Sequence, residues 1–272
     1  SEALPYLKRY DSATIVIKLG GAAMSNIENL SSFARDIVLM KQCKVNPIII
    51  HGGGPMINNA LNKWGIDFNF VDGKRVTDKK AVKIVEMVLS GDLNKNIVSS
   101  INNQGGSGVG ISGKDASLVI CEKDNPELGY VGKPILINTK LITTLVENDF
   151  IPVISPIGTN EEGETFNINA DTMAGTIASA LKADRLLLLT DVSGVKDKSG
   201  KKIGRASTEE IKKLIKEDVI KDGMIPKVNT AIDSIEKGVR AVVILDGSIQ
   251  NACLLELFTD HGVGTLIRKE LN

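Results

Sequence analysis

Twice within the first 55 residues an apolar run stops at glycines just as a helical pattern begins. Thr14-Ile15-Val16-Ile17 leads into Lys18-Leu19-Gly20-Gly21, and Pro47-Ile48-Ile49-Ile50 leads into His51-Gly52-Gly53-Gly54-Pro55. Between them Ile27, Leu30, Ala34, Ile37 and Val38 recur at helical spacing. Parallel strands need such a crossover, whereas a tight turn joins only antiparallel neighbours. In open α/β sheets ligands bind where strands end, and glycines there let backbone amides approach an anion.

The alternation returns after Asn138, with an amphipathic stretch to Asn148, a strand at Ile151 to Ile154, a helix from about Asn169 to Lys182 and a strand at Arg185 to Leu189. The last third predicts a turn at Asp197 to Gly200, helices near Thr208 to Glu217 and Pro226 to Lys237, and a strand at Val242 to Leu245. Between Asp67 and Pro134 the pattern reads as short strands and glycine-rich turns, excursions above a sheet. The expected fold class is α/β, a three-layer αβα sandwich around a mainly parallel open sheet. A soft boundary near Ala183 divides an N-terminal lobe, 1–182, from a C-terminal lobe, 183–272, that shares the sheet.

Hydrophobic residues make up 42% of the chain but aromatics only 4%, so Ile, Leu, Val and Ala must build the core. The 33 basic and 33 acidic residues cancel, which removes the bulk attraction that nonspecific nucleic-acid or membrane-surface binding requires. No apolar run approaches the roughly 18 residues that span a bilayer. Ser1 to Lys18 lacks the apolar core of a secretory signal, and three scattered cysteines suit neither a disulfide framework nor a four-ligand zinc site. A reducing cytoplasm is expected.

Two glycine motifs mislead. Gly108 to Asp115 satisfies GxGxxG and most of a P-loop, but Asp115 stands where a hydroxyl must reach Mg²⁺. Both signatures also need a following helix, and Ala116 to Ile120 reads as a strand, leaving a turn with positive φ angles as the expectation. Two further clusters follow apolar strands or open helices. They are Thr190-Asp191-Val192-Ser193-Gly194-Val195 and Asp222-Gly223-Met224-Ile225-Pro226-Lys227. Lys227 sits near a helix start, against the dipole preference, a placement that a neighbouring polyanion would explain.

These blocks, with Gly73-Lys74-Arg75-Val76-Thr77, Asn167-Ile168-Asn169-Ala170-Asp171, Leu254 to Phe258 and Gly262 to Thr265, resemble the amino-acid kinases, and most closely their acetylglutamate branch. The resemblance covers nearly the whole chain. It implies transfer of the ATP γ-phosphoryl group to the side-chain carboxylate of N-acetyl-L-glutamate in arginine biosynthesis. Lys18 and Lys227 would neutralise phosphoryl charge, and Asp171 would orient both. Gly53, Gly54, Arg75, Asn167 and Asn169 would hold the acid. Gly20, Gly21, Asp191, Val192, Ser193, Gly194, Val195 and Gly223 would hold the nucleotide, Gly20 with its amide toward the phosphoryl group. Mg²⁺ would bridge nucleotide phosphates without direct protein ligands. The N-terminal lobe would bind the acid and mediate dimerisation; the C-terminal lobe would bind ATP.

The resemblance also implies a homo-oligomer, a dimer or a hexamer, the latter through an N-terminal helix ending in Glu2 to Lys8. It implies L-arginine as a feedback effector near Glu256 and Gly262 to Thr265, although Val243 and Asn251 replace histidines of inhibited members. The alternatives are a sibling kinase for an aminoadipate-like acid, carbamate or a nucleoside monophosphate, and a non-catalytic amino-acid sensor.

Overall fold

A computed structural model describes residues 4–24, 26–71 and 73–271. Glu2 and Ala3, in the segment expected to end an N-terminal helix, lie outside them; within them a helix spans Leu4–Arg9. Eight strands form the central sheet in the order Arg205–Ser207, Thr265–Arg268, Val242–Asp246, Arg185–Thr190, Thr14–Leu19, Asn46–His51, Ile151–Ser155, Gly108–Ser112. Every pairing is parallel except that between Val242–Asp246 and Thr265–Arg268. The sheet runs unbroken past Ala183, and the expected α/β class is what the chain adopts.

Alternation along Thr14–Leu19 sorts the two faces. Ile15, Ile17 and Leu19 join Ile49, Leu187 and Leu189 in a core roofed by the helix Ile27–Gln42. Val16 joins Ile50 and Leu188 in a second core, beneath the helices Ala170–Ala180 and Met224–Glu236. Lys18 is in phase with Val16, so it emerges on the face that those two helices cover. They can pack closely because a Cβ at Gly175 would press on Thr230 and Ser234.

Two expectations are corrected. The region after Asp67 holds a long helix, Lys79–Glu86 continuing through a π-helical Met87–Leu93 into Asn94–Asn103. Gly108 to Ser112 is an edge strand of the main sheet, and its glycines serve close approach instead of positive φ. A Cβ at Gly110 would collide with the Asn94 side chain, and one at Gly113 with the Ile157 carbonyl. After Gly113 comes a short 3₁₀ turn and the strand Val119–Lys123, so no helix N-terminus faces that motif. A smaller four-stranded sheet, Thr165–Asn167, Ile157–Thr159, Val119–Lys123 and Gly132–Ile137, and the hairpin Phe70–Val71 with Lys74–Arg75 rise from the main body.

Candidate active site

Lys18 ends one parallel strand, while Asp171 and Lys227 lie in the first turns of the two helices above it. The three side chains meet. Lys227 Nζ donates to Asp171 Oδ2 at 3.1 Å, and Lys18 Nζ lies 3.1 Å from Oδ1 as an ion pair outside hydrogen-bond alignment. Burial alone would raise the Asp171 carboxyl. The two ammonium groups outweigh it and hold the group below the usual carboxylate range.

Three helix N-termini frame this centre. Asn169 caps the helix Ala170–Ala180 by accepting from the Thr172 N–H at 3.1 Å. The helices Gly54–Lys63 and Met224–Glu236 begin after Gly53 and Gly223, neither with a side-chain cap. Their leading N–H groups therefore have no capping side chain, and the positive end of each dipole favours an anion.

A cavity of about 240 Å³ opens beside Lys18 and Asp171, lined by Gly20, Gly21, Gly53, Gly54, Arg75, Asn167 and Asn169 among others. Arg75 is 6% exposed, and its guanidinium packs into the corner formed by the edge-to-face rings of Phe68 and Phe70, 4.8 and 4.7 Å from their centroids. Nη2 donates to the Gly54 carbonyl at 3.4 Å, while buried Nη1 has no acceptor. Burial lowers the Arg75 pKa from its ordinary value. An unsatisfied guanidinium N–H at a cavity wall suits a carboxylate. Asn167 donates to Thr77 Oγ1 at 3.3 Å. Gly20 and Gly53 are places of close approach: a Cβ would strike the Leu189 carbonyl at the first, and Leu89 and Leu93 at the second. A Cβ at Gly54 would meet open space.

The other expected nucleotide residues lie off this cavity, beyond Lys227. Asp191 and Val192 are exposed at the end of the strand Arg185–Thr190, with Ser193 partly so. Val195 is buried and its N–H donates to Thr265 Oγ1 at 2.8 Å, so that amide is already engaged. A Cβ at Gly194 would hit the same Thr265 side chain.

Phe68, Phe70 and Leu89, at the cavity or its guanidinium, stand outside the sequence blocks, while Lys74 and Ile168 lie inside them without an expected role. Two phenylalanines two residues apart, just before Gly73 to Arg75 in a chain with 4% aromatics, were the available signal. His51 is fully buried, and burial pushes its pKa down to about 4. Asn94 Nδ2 approaches its Nε2 at 3.3 Å, which leaves Nδ1–H to donate to the Gly52 carbonyl at 2.9 Å. It is a neutral brace under the glycine loop. Among the described residues no group of three or more His, Cys, Asp or Glu could hold a metal ion, and no helix is long and apolar enough to cross a membrane.

Residues 13–246 match the model of the amino acid kinase family. The chain is 59% identical to acetylglutamate kinase of Ruegeria pomeroyi, over 98% of this chain and 93% of that one. It is 58% identical to acetylglutamate kinase of Dinoroseobacter shibae, over 99% and 94%. Its fold is shared with N-acetylglutamate synthase of Neisseria gonorrhoeae (TM-score 0.89, 24% identity, all of this chain and 63% of that one). Carbamate kinase of Giardia lamblia has it too (TM-score 0.70, 19% identity, 95% and 99%). With a family model spanning most of its length and near-full-length relatives above half identity, the chain belongs to the amino acid kinase family, in its acetylglutamate kinase branch.

Proposed function

We propose that this chain transfers the γ-phosphoryl group of ATP to the side-chain carboxylate of N-acetyl-L-glutamate, giving N-acetyl-L-glutamyl 5-phosphate, with Lys18, Asp171 and Lys227 at the reacting centre. The meeting of two ammonium groups on one carboxylate beside the Arg75 cavity carries the reading. An anionic nucleophile must approach a polyphosphate, so catalysis is mainly positioning and charge neutralisation. A carboxylate needs no proton removed, and so neutral His51 has no part as a base.

In this reading Arg75 pairs with the substrate's backbone carboxylate, while Asn167, Asn169 and the amides at Gly53 and Gly54 align the rest of the acid. Lys18 faces the transferring phosphoryl oxygens. Lys227, the uncapped helix after Gly223 and the Asp191 to Gly194 loop face the nucleotide, with the acid on residues 1–182 and the nucleotide on 183–272. Both Asp171 oxygens face lysines, so the site supplies no acid set for Mg²⁺, which fits only as part of the nucleotide substrate.

Hydroxylamine trapping of the acyl phosphate tests the reading. With Mg-ATP, N-acetyl-L-glutamate should give strong signal, and L-glutamate, N-acetylated aminoadipate and a nucleoside monophosphate little. Equal signal from the longer acid would replace the substrate; no signal from any acid would remove the reaction.

A further inference from the structure

Arg75 stands on the smallest sheet among the described residues. Phe70–Val71 and Lys74–Arg75 pair antiparallel with each other, two residues a side, and join neither of the larger sheets. A two-stranded ribbon this short does not hold its place unaided. The rings that flank the Arg75 guanidinium, Phe68 and Phe70, belong to the same segment, and its bond to the Gly54 carbonyl is long at 3.4 Å. The guanidinium therefore stands wherever the hairpin stands.

The base of the hairpin is tied by backbone. The Thr77 N–H donates to the Leu128 carbonyl at 2.9 Å, and the Thr77 carbonyl accepts the Tyr130 N–H at 2.7 Å. Nearer the tip the tie is a side chain: Lys74 Nζ donates to Asp124 Oδ2. Asp124 follows the strand Val119–Lys123 of the smaller four-stranded sheet, and its own N–H donates to the Val131 carbonyl at 2.9 Å, so the acceptor is firmly placed. The Lys74 and Asp124 side chains are 36% and 18% exposed, which makes theirs the most enclosed ion pair outside the catalytic centre among the described residues. Solvent and salt screen such a pair less than an exposed one.

Lys74 and Arg75 both line the catalytic cavity. Asp124 supplies the ammonium with a counter-charge, so the guanidinium, its Nη1 unsatisfied, is left as the hairpin's cation for an incoming carboxylate. We propose that Lys74 is a positioning residue for the acid: its ion pair with Asp124 latches the hairpin to the smaller sheet and so fixes Arg75 against the substrate's backbone carboxylate. The inference rests on the reaction proposed above, and Lys74 acts in it through Arg75.

Steady-state kinetics and hydrogen exchange together test the latch. Lys74→Met and Asp124→Asn should each raise KM for N-acetyl-L-glutamate about tenfold, with kcat and the KM for ATP held within about twofold. The double variant should be no worse than either single one, because both remove the same interaction. Lys74→Arg keeps a cation and should restore most of the loss. Asp124→Asn separates the latch from a direct contact, since it frees the ammonium without removing its charge from the cavity wall. An unchanged or lower KM in that variant would overturn the proposal, as would additive losses in the double variant or a fall in kcat alone. In the unliganded chain the Val76 N–H, which donates to the Asn69 carbonyl at 3.0 Å, should exchange about tenfold faster in both single variants, with amides of the central sheet unchanged. This measurement needs no substrate. If the wild type phosphorylates no acid, the proposed reaction fails and exchange alone decides the latch, faster exchange supporting it and equal rates overturning it.

Discussion

At the strand ends Lys18 and Lys227 share the carboxylate of Asp171, each 3.1 Å from one of its oxygens. In a cavity beside the helix Ala252–Phe258, four arginines, Arg9, Arg185, Arg205 and Arg268, surround space with no acid of the described chain within 4.0 Å of them. The first cluster carries its own counter-charge, so it can stand assembled before any ligand arrives and still present one net positive charge to a phosphate. The second keeps its lining acids, Glu256 and Asp260, on backbone amides and a tyrosine hydroxyl instead of on its cations. Internal compensation gives a centre poised for turnover, whereas its lack gives one that depends on what occupies it.

Asp171→Asn should make the first cluster resemble the second. Removing one partner from a buried ion network costs about 3–5 kcal/mol, read as a lower urea midpoint. Added inorganic phosphate should then raise the melting temperature of the variant more than that of the wild type. Equal shifts would break the comparison. Lys18→Ala and Lys227→Ala remove the cations themselves, and each should lower kcat by about 10²–10³-fold, with smaller changes in KM. Little change in kcat for both would end the charge-neutralising account.

Two buried groups outside both clusters set the pH baseline. Burial raises Asp36 from 3.8 to about 6, although the Cys253 N–H donates to its Oδ2 at 3.1 Å. The folded state keeps that proton after the unfolded chain has released it, so Asp36 makes stability fall as pH rises from about 4 to about 6. Burial lowers His51 from 6.5 to about 4, so its contribution is lost as pH falls through the same range. Each amounts to roughly 3 kcal/mol with opposite sign. Asp36→Asn should expose the His51 slope, with stability rising between pH 4 and 6.5 in denaturant titrations. A flat profile in the variant would contradict it. The smallest effect belongs to the aromatic clamp. Phe68→Ala removes one ring from Arg75, about 1 kcal/mol, and should raise KM for the acid roughly fivefold with kcat nearly unchanged.

Much of this was legible in the sequence because local patterns carried it. The glycine junctions placed Lys18 at a strand end, and the small-residue face starting at Ala170 placed Asp171 in a first turn. The long helix from Lys79 was hidden for a physical reason. Its apolar residues Val85, Leu89, Leu93, Ile97 and Ile101 recur strictly every four positions. In a regular α-helix that spacing drifts about 40° per step, and Ser90-Gly91-Asp92 reads as a turn. The wider π-helical turn absorbs the drift. Four arginines spread from residue 9 to residue 268 share no pattern at all, and only the fold assembles their cavity.

That wide turn also limits which changes of length the chain can accept. Deleting Gly91 would let the segment relax into ordinary helix, and because the wide turn already holds one residue more than a regular one, the helix after it would keep nearly the same facing. An extra residue before Asn94 finds no such outlet: everything after it would swing by about 100°, Asn94 would leave His51 and the Val153 carbonyl, to which its amide donates at 2.9 Å, and the floor of the glycine loop would lose its support. Single-residue scanning should therefore find this segment tolerant of a deletion and intolerant of an insertion, a constraint on backbone length where exposed loops keep their freedom.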